Sequence, residues 1–425
     1  MEKINIKHMP KIEDVIKCIN EEEEVFAVYE DLARRSYSVV AWGAKNLVKG
    51  SHEGVLDELR ASLKKAEIRN YMYPLDVTLI GYIGYDAVRL WEKIPDLRPY
   101  PEKWNYVEFF EPANVAVYDY NRGFIYIDGE GQQLEKCKDR HSRRENVRAE
   151  FYDSSLDGKR FEEVVEETLE YIKSGYVFQA VLSRFQRFTY TGDVADLYLN
   201  LREINPSPYT YFLKFGNRII LGASPELLYS YRNGIVETYP IAGTRPRGRT
   251  VEEDRVLEEE LLKSEKDRAE HLMLVDLARN DLGKVCVPGT IKVEKLMYIE
   301  KYSHVQHLVS KVIGVVKRKY DVIDLVKALL PAGTVSGAPK PFAMRLIEEL
   351  EEYKRGPYAG ATGFFTSSGE AIMAIAIRSA FIYEDLIRIQ AGAGIVYDSK
   401  PRMEYEETEH KLAALKAALG IIGGR

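Results

Sequence analysis

The chain has 425 residues, of which 45% are hydrophobic and 30% are charged, so it is long enough for about two or three domains with sizeable cores. Its formal net charge of −6 argues against a nucleic-acid-binding protein. The N-terminal segment MEKINIKHMPKIEDVIK lacks the apolar region of a signal peptide, and the longest apolar run, residues 371–377, is too short to span a membrane. We therefore expect a soluble cytoplasmic protein.

The cysteine content and the polar composition each indicate something about the environment of the protein. Cys18, Cys137 and Cys286 lie far apart and show no paired spacing, from which we expect a reducing compartment and no zinc site. Asn and Gln are scarce while Glu, Lys and Arg are plentiful, which is typical of thermophilic proteins.

The first part of the chain, residues 1–130, alternates short strand-like runs with turns and predicts an N-terminal subdomain. Strands are predicted at 37–42, 77–84, 114–118 and 124–127, and one helix at 55–66. Residues 131–149 are polar and charged and predict a linker or a mobile loop. The alternative for the basic half of that segment is a patch that binds anions.

Residues 150–425 alternate helices with strands and predict a second, larger domain. Helices are predicted at 161–175, 261–282, 341–353 and 401–420. Strands are predicted at 181–190, 209–215, 219–221, 227–231 and 305–316, and a hairpin of central strands at 370–383 and 386–396. Hairpins mixed with segregated helices predict the α+β class.

Two of these helices carry acidic residues on their apolar stripe. Steps of three and four back from Ala418 reach Lys411, Glu407 and Glu404 in the last helix, and Glu270 aligns with the leucines of the 261–282 helix. A carboxylate without a partner is costly on such a face, so these acids need a cation or a proton. The alternative for the last helix is a frayed first turn whose acids favour a helix N-terminus. We favour an oxygen-ligand site for a hard cation, with Mg²⁺ as its occupant.

Other motifs indicate that the ligand is an anion. The segment GTVSGAPK at residues 333–340 precedes a helix, whose free backbone N–H groups favour anions, although an ordinary loop-to-helix turn fits the pattern equally well. Arg378 lies within the apolar run AIAIRSAF, where either a substrate carboxylate or a protein acid would be its partner. His304 and His307 would face opposite sides of a strand, so they cannot share a metal ion.

Taken together, these motifs resemble those of the chorismate-utilising enzymes. The resemblance covers nearly the whole chain and is densest over residues 161–411, where the matching segments follow the family's order: GYVFQAVLSR, NPSPY, SPELL, PIAGTRPRG, AEHLMLVDLARNDLG, YSHVQHLVSKV, PAGTVSGAPK, RGPYAGATG, AIAIRSA, QAGAGIVYDS and EETEHK. It implies an α+β fold, a two-subdomain sandwich of large, mostly antiparallel sheets with outer helices and the active site in the cleft between the sheets. It also implies that residues 150–425 are the chorismate-binding catalytic domain.

The resemblance also implies roles for individual residues. Mg²⁺ is expected to hold the ring carboxylate of chorismate, with Glu270 and Glu407 as its ligands and Glu404 close by or bound through water. Glu226 resembles the general acid that protonates the leaving 4-hydroxyl, and His307 resembles the histidine of pyruvate elimination. The other residues expected to bind substrate or line the pocket are Gly243, Thr244, Thr334, Tyr358, Arg378, Gly392, Gly394 and Lys411.

Two positions separate the members of the family by their chemistry. Relatives that add water have a lysine base where this chain has Gln179, and a neutral amide suffices for ammonia because ammonia is already nucleophilic. Relatives that form the 4-amino product have a lysine nucleophile where this chain has Ala242. Both residues favour the branch that makes anthranilate. The alternatives are a 4-amino-4-deoxychorismate or isochorismate synthase, or a non-catalytic protein that senses tryptophan.

The resemblance further implies a partner and an effector. None of the three cysteines has the small neighbours of a nucleophile elbow, so glutamine use requires a separate glutamine amidotransferase subunit, in a heterodimer or heterotetramer. A tryptophan regulatory site is expected at Glu30, Pro208, Tyr209 and Thr210. Asp31 and Thr210 depart from the family's Leu-Leu-Glu-Ser and Asn-Pro-Ser-Pro-Tyr-Met segments, which predicts weak or altered inhibition by tryptophan.

Overall fold

The protein is described by a computed structural model that covers residues 2–66, 76–139, 147–302 and 305–421. Its N-terminal part contains the elements β1 (Glu2–Asn5), α1 (Ile12–Glu22), β2 (Val25–Glu30), β3 (Tyr37–Gly50), α2 (Val55–Lys65), β4 (Leu79–Ile83), β5 (Val107–Asp119), β6 (Phe124–Asp128) and α3 (Gly131–Lys136). The middle part contains β7 (Arg148–Ser154), α4 (Gly158–Lys173), β8 (Gln179–Thr191), α5 (Val194–Ile204), β9 (Tyr209–Phe215), β10 (Arg218–Ser224), β11 (Leu227–Arg232), β12 (Ile235–Thr238), β13 (Ile241–Pro246), α6 (Val251–Lys263) and α7 (Glu265–Val285).

The C-terminal part ends in the helix that carries the predicted cation site. Its elements are β14 (Lys292–Lys301), β15 (Val305–Val315), α8 (Val322–Leu329), β16 (Gly337–Ala338), α9 (Lys340–Leu350), β17 (Ala361–Phe365), β18 (Ala371–Ile375), β19 (Ser379–Tyr383), β20 (Leu386–Ile395) and α10 (Pro401–Ala418). None of the helices in the described ranges is long and apolar enough to cross a membrane.

The strands form one hydrogen-bonded network with two arms, and each strand ladder in the described part of the chain is antiparallel. The first arm runs from β6 through β5, β3, β2, β9, β10, β19 and β20 to β8. The second runs from β5 through β4, β17, β18, β11 and β12 to β15, which also pairs with β13 and β14. The expected α+β fold with large antiparallel sheets is confirmed.

Alternation along the strands explains how the arms pack. Ala27 and Tyr29 of β2 point into the core between the arms, whereas Phe26 and Val28 point to the outer face beneath α1, α5 and α10. A third cluster lies where α4 and α9 cover β8 and β20. Because successive side chains point to opposite faces of the sheet, the helices cover the outer face of the first arm and the second arm packs on its inner face.

Pairing crosses the expected boundary between subdomains. β2 pairs with β9, and β4 pairs with β17, so strands from residues 1–130 and 150–425 share ladders. Within the expected linker, α3 packs its Leu134 into the core, while residues 140–146 lie outside the described part. The division of the chain at 131–149 stays a prediction.

The structure corrects two predicted elements. The single helix expected at 261–282 is two helices, because the Ser264 hydroxyl accepts a hydrogen bond from the Asp267 amide and caps a new N-terminus. The strand expected at 370–383 divides into β18 and β19 around Arg378, whose φ of 54° lies in the left-handed region. Other predicted helices and strands occur with shifted ends.

Two of the cysteines form a disulfide, which departs from the reducing compartment expected from their spacing. Cys18 in α1 and Cys137, directly after α3, form a disulfide across 119 residues of sequence, with Cα atoms 5.7 Å apart. Spacing along the chain could not reveal this pair, because the fold alone brings α3 back onto α1. Cys286 is free and buried.

Candidate active site

A cavity of about 600 Å³ lies between the two arms. Strands β8 and β20 form one side, and β13, β15 and α7 form the other, with α10 at the edge. Each residue that the sequence assigns to catalysis, substrate binding or metal binding lines this cavity: Gln179, Glu226, Gly243, Thr244, Glu270, His307, Thr334, Tyr358, Arg378, Gly392, Gly394, Glu404, Glu407 and Lys411.

Glu226 is a buried acid in the turn between β10 and β11. Burial raises its pKa to about 8, although the Thr334 hydrogen bond and the positive charge of Lys411 act in the opposite direction. The Thr334 hydroxyl donates to Oε1 of Glu226 over 2.8 Å. The side chain therefore carries a proton at neutral pH and is able to act as a general acid.

A β-bulge positions His307 and Thr244. The register of β13 against β15 shifts at Gly243, whose φ of 72° favours glycine, and Thr244 then pairs with His307. The Thr244 hydroxyl lies 2.9 Å from Nδ1 of His307. Burial, together with the charges of Arg378 and Lys411, lowers the pKa of His307 to about 4. The imidazole is therefore neutral and able to accept a proton.

Arg378 is a cation aimed at the cavity. Its Nη1 donates to the backbone oxygen of Lys411 over 2.9 Å, and within the described ranges no carboxylate lies at ion-pair distance from it. Burial lowers its pKa, while the Tyr358 and Glu407 side chains act in the opposite direction. Of the two partners that the sequence left open, the geometry therefore favours a substrate carboxylate over a protein acid.

Gly392 and Gly394 of β20 lie so close to neighbouring side chains that a larger residue would not fit without displacing them. A Cβ at Gly392 would lie 3.1 Å from the Tyr358 hydroxyl, and a Cβ at Gly394 would lie 3.1 Å from Nε2 of Gln179. The Lys411 ammonium donates to the Gly392 oxygen over 2.7 Å. Side chains at these glycines would displace the polar groups that face the cavity.

Glu270 of α7 and Glu404 and Glu407 of α10 form an acidic wall of the cavity. Burial and the neighbouring acids, including Glu407, raise the pKa of Glu270 and of Glu404. Two ammonium groups accompany them, since Lys266 lies 3.8 Å from Glu270 and Lys411 lies 2.6 Å from Glu407. Across the described residues, no three such side chains already enclose a metal position. The donor set nevertheless fits a hard divalent cation, because it consists of carboxylate oxygens and because Glu404 and Glu407 both raise the pKa of Glu270.

Some residues that line the cavity were not expected from the sequence. Among them are Lys266, Gln390 and His410. The signal for Lys266 was available, since it precedes Glu270 by one helical turn. Gln390 had no signal of its own, because its position depends on buried contacts with Ser183 and Arg388.

Two other basic side chains pair with acids of the protein itself. Arg245 lines the cavity but pairs with Glu260 and Asp267, and Lys340 of the GTVSGAPK segment pairs with Asp281. Only the start of that segment reaches the cavity, through Thr334 and Val335. His304 lies outside the described residues.

A second cavity, of about 530 Å³, is lined by only some of the residues expected to form the tryptophan site. Pro208 and Tyr209 line it, as does Asp31, but Glu30 and Thr210 do not. Glu30 is fully buried and accepts hydrogen bonds from Ser38, Tyr198 and Arg202. Thr210 faces Glu30 across the β2–β9 ladder. Pro208 and Tyr209 therefore line the second cavity, whereas Glu30 and Thr210 lie outside its lining.

Comparisons with known proteins agree with this geometry. Residues 22–417 match the family described as chorismate binding enzyme. The chain is 55% identical over 412 residues to anthranilate synthase component 1 of Saccharolobus solfataricus, covering 96% of this chain and 97% of that protein. It is 45% identical over 391 residues to the protein of the same name from Aeropyrum pernix, covering 91% and 87%. The crystal structure of anthranilate synthase component I from Streptococcus pneumoniae superposes with a TM-score of 0.80 at 35% identity, covering 90% of this chain and 92% of that one.

Proposed function

Because the chain belongs to the family of chorismate binding enzymes, we propose that it converts chorismate and ammonia to anthranilate and pyruvate, the first committed step of tryptophan biosynthesis. Its relatives named anthranilate synthase component 1 support this choice within the family. The observation that carries the proposal is the meeting, in one cavity, of a protonated Glu226 with an Arg378 that lacks an acidic partner among the described residues.

Arg378 and Tyr358 bind the enolpyruvyl carboxylate of chorismate. A guanidinium that is already desolvated gains more from a carboxylate than one that must first lose its water. The backbone at Gly392 and Gly394 leaves room for the ligand beside these groups. A dianionic substrate is thus held at one end by fixed positive charge.

The acidic wall is the proposed Mg²⁺ site, with Glu270, Glu404 and Glu407 as ligands. When bound there, Mg²⁺ would attract the ring carboxylate and polarise the adjacent ring. Lys411 would then be released from Glu407 to face the same carboxylate, since both lie at this wall. The two carboxylates of chorismate would in this way be held by separate groups of the cavity.

Glu226 and Gln179 serve the first step. A C–N bond forms between ammonia and ring carbon 2, the ring double bonds shift, and the bond from carbon 4 to its hydroxyl breaks. Glu226 gives its proton to the departing oxygen, so the hydroxyl leaves as water. Gln179 accepts a hydrogen bond from ammonia without removing a proton. Ala242 leaves no nucleophile to form a covalent intermediate.

His307 serves the second step. The aminodeoxyisochorismate loses the proton from carbon 2 and the bond from carbon 3 to the enolpyruvyl oxygen, which makes the ring aromatic. A neutral imidazole accepts that proton and returns it to the enolpyruvyl group, which departs as pyruvate. The hydrogen bond from Thr244 holds the ring in position for this transfer.

Ammonia is expected from a glutamine amidotransferase partner. A glutaminase of the cysteine type needs a reactive thiolate. Here Cys18 and Cys137 are joined in a disulfide, and burial raises the pKa of Cys286 to about 11. Since the chain has three cysteines, none is available as that nucleophile.

The proposal is tested by following anthranilate fluorescence with purified protein. We expect product when chorismate, Mg²⁺ and an ammonium salt are all present at raised pH, where free ammonia is populated. Omitting any one of the three should abolish the signal. A protein that is folded and yields no anthranilate in the complete mixture would refute the proposal.

A further inference from the structure

Arg355 is a charged side chain that lies behind the wall of the active-site cavity and does not line it. It is 1% exposed and pairs with Glu351, four residues earlier in the chain, through hydrogen bonds of 2.5 and 3.1 Å. Burying such a pair is costly, and the cost is offset only when the remaining hydrogen-bonding groups also have partners. The other partners of Arg355 therefore indicate what this pair does.

The guanidinium of Arg355 joins two segments of backbone at the cavity. Its Nη1 donates to the Val335 oxygen over 2.6 Å, and its Nη2 donates to the Val181 oxygen over 2.7 Å. Both valines line the cavity, and Val335 directly follows Thr334, whose hydroxyl donates to Glu226. A planar guanidinium can make these bonds and still pair with a carboxylate, whereas an ammonium carries its donors on a single atom.

Arg355 also contacts Tyr358. Its backbone oxygen accepts a hydrogen bond from the Tyr358 amide over 3.3 Å, and its guanidinium carbon lies 5.7 Å from the centre of the Tyr358 ring. Tyr358 is buried and lines the cavity. Arg355 thus contacts a residue proposed to bind substrate and, through Val335, the loop that holds the proposed acid.

A closed ring of hydrogen bonds holds Arg355 in place. The Ser183 hydroxyl donates to Glu351 over 2.9 Å and accepts from the Gln390 amide over 2.8 Å. Arg388 donates to the side-chain oxygen of Gln390 and, over 3.2 Å, to the backbone oxygen of Arg355. We call Ser183, Glu351, Arg355, Arg388 and Gln390 the polar ring. Its members are all buried, and a buried network whose members have partners is rigid.

We propose that Arg355 is a positioning residue for the reaction, an inference that rests on the proposed function. Through its contacts with Tyr358 it places the hydroxyl that binds the enolpyruvyl carboxylate. Through Val335 it places the Thr334 hydroxyl that donates to Glu226. The first contact governs the affinity for chorismate, and the second governs the proton used in the first step.

The test replaces Arg355 by lysine, which keeps the positive charge but loses the planar group that reaches Val335 and Val181 together. Arg218→Lys is the matched control, because Arg218 makes two hydrogen bonds, of 2.6 and 3.0 Å, to the buried Glu108, and neither residue lines the cavity. The affinity for chorismate is measured by calorimetry with Mg²⁺ and without ammonium. The pH dependence of kcat/KM is then measured at a fixed concentration of free ammonia.

Arg355→Lys should bind chorismate about tenfold more weakly, because even a displacement of about 1 Å can cost about 10²-fold. The decline in kcat/KM should also move to higher pH, because a displaced Thr334 no longer favours the Glu226 carboxylate. Lys411, the charged group that acts on Glu226, is unchanged in this variant. Arg218→Lys should lose thermal stability and keep the wild-type affinity and pH profile.

Further variants identify the contacts through which Arg355 acts. In a Tyr358→Phe background, Arg355→Lys should cause little further loss of affinity, since the hydroxyl that it places is already gone. In a Thr334→Val background, it should cause no further shift of the pH profile. Ser183→Ala opens the polar ring at an uncharged hydrogen bond. It should also weaken chorismate binding, and it decides the proposal if Arg355→Lys does not fold.

Wild-type affinity or an unchanged pH profile in folded Arg355→Lys would overturn the proposal. If that variant does not fold, wild-type affinity in Ser183→Ala would overturn it. Equal losses of affinity with and without the Tyr358 hydroxyl would contradict it too, because Arg355 would then contribute only general packing. Failure of the proposed function would show differently, as no anthranilate from the wild-type protein with ammonium, while calorimetry would still report the affinity for chorismate.

Discussion

The Thr334 hydroxyl donates a hydrogen bond to Oε1 of Glu226, joining the loop before β16 to the turn between β10 and β11. The bond favours the ionised carboxylate, whereas burial favours the protonated one, and burial dominates because the pKa of Glu226 rises to about 8. The balance between these two effects sets the pH range in which Glu226 holds the proton that the proposed general-acid step uses.

The first prediction concerns the pH dependence of kcat/KM for chorismate, measured at a fixed concentration of free ammonia. The folded protein holds the proton on Glu226 up to a pKa of about 8, so activity should be present below that pH and decline above it. Glu226→Gln should lower the rate about 10²- to 10⁴-fold, the usual contribution of a general acid, and abolish the decline. An unchanged pH profile in Glu226→Gln would exclude Glu226 as the acid.

Variants of Thr334 test the same pH profile of kcat/KM without removing the Glu226 carboxyl. Thr334→Val removes the donor that favours the carboxylate, so the decline in activity should move to higher pH. Thr334→Ser keeps a hydroxyl and should preserve the wild-type profile. Identical profiles in the valine and serine variants would show that this hydrogen bond does not act on the catalytic proton.

The second prediction concerns the acidic wall. Glu407→Gln should reduce activity about 10²-fold or more and weaken Mg²⁺ binding in calorimetry, because it removes a ligand charge. Thermal unfolding should change little, since Glu407 is almost half exposed. Glu406→Gln is the matched control, because Glu406 is exposed and pairs with Arg402 outside the cavity. Equal Mg²⁺ affinity in the two variants would remove Glu407 from the metal site.

The third prediction concerns Ala242, which lines the cavity beside the bulge at Gly243. Ala242→Lys should impair anthranilate formation, because a long ammonium would enter the space proposed for the chorismate ring. Steady-state rates and product analysis by chromatography would measure the effect. Normal anthranilate rates in this variant would mean that residue 242 does not approach the substrate.

The fourth prediction concerns tryptophan. Asp31 lines the second cavity, and its carboxylate would face that of tryptophan, whereas Glu30 is held by Arg202 and Tyr198. We therefore expect weak or altered inhibition of the ammonium-dependent reaction. Asp31→Ser, which removes the like charge, should strengthen inhibition. Tight inhibition of the wild-type enzyme, comparable to its affinity for chorismate, would contradict this account.

The residues that the sequence assigns to the site line one cavity, because they occur in local motifs whose chemistry is fixed by residue type. Their roles in the reaction stay predictions, and Arg378 illustrates how far the sequence reaches. An arginine in an apolar run predicted an anion site, but the break in the strand at its positive φ depends on the turn toward β19. Helix periodicity placed Glu404 on a buried face, but it could not show that Glu407 stays half exposed at the mouth.

Contacts between distant segments were beyond sequence reasoning. The disulfide between Cys18 and Cys137 and the burial of Glu30 against Arg202 both depend on how α1, α3 and α5 meet. The break at Ser264 was accessible in principle, since Ser264 and Asp267 have the spacing of a helix cap, but apolar periodicity masked it. The inference of a thermophilic protein from composition stays a prediction.

The most direct test of the central claim is the identity and stoichiometry of the product from ¹⁵N-labelled ammonium. The purified chain is incubated with chorismate and Mg²⁺, without an amidotransferase, and the products are separated and weighed by mass spectrometry. The account predicts ¹⁵N-labelled anthranilate and an equal amount of pyruvate, with neither formed when unlabelled glutamine replaces ammonium. Isochorismate, 4-amino-4-deoxychorismate or unchanged chorismate as the outcome of the ammonium reaction would contradict it.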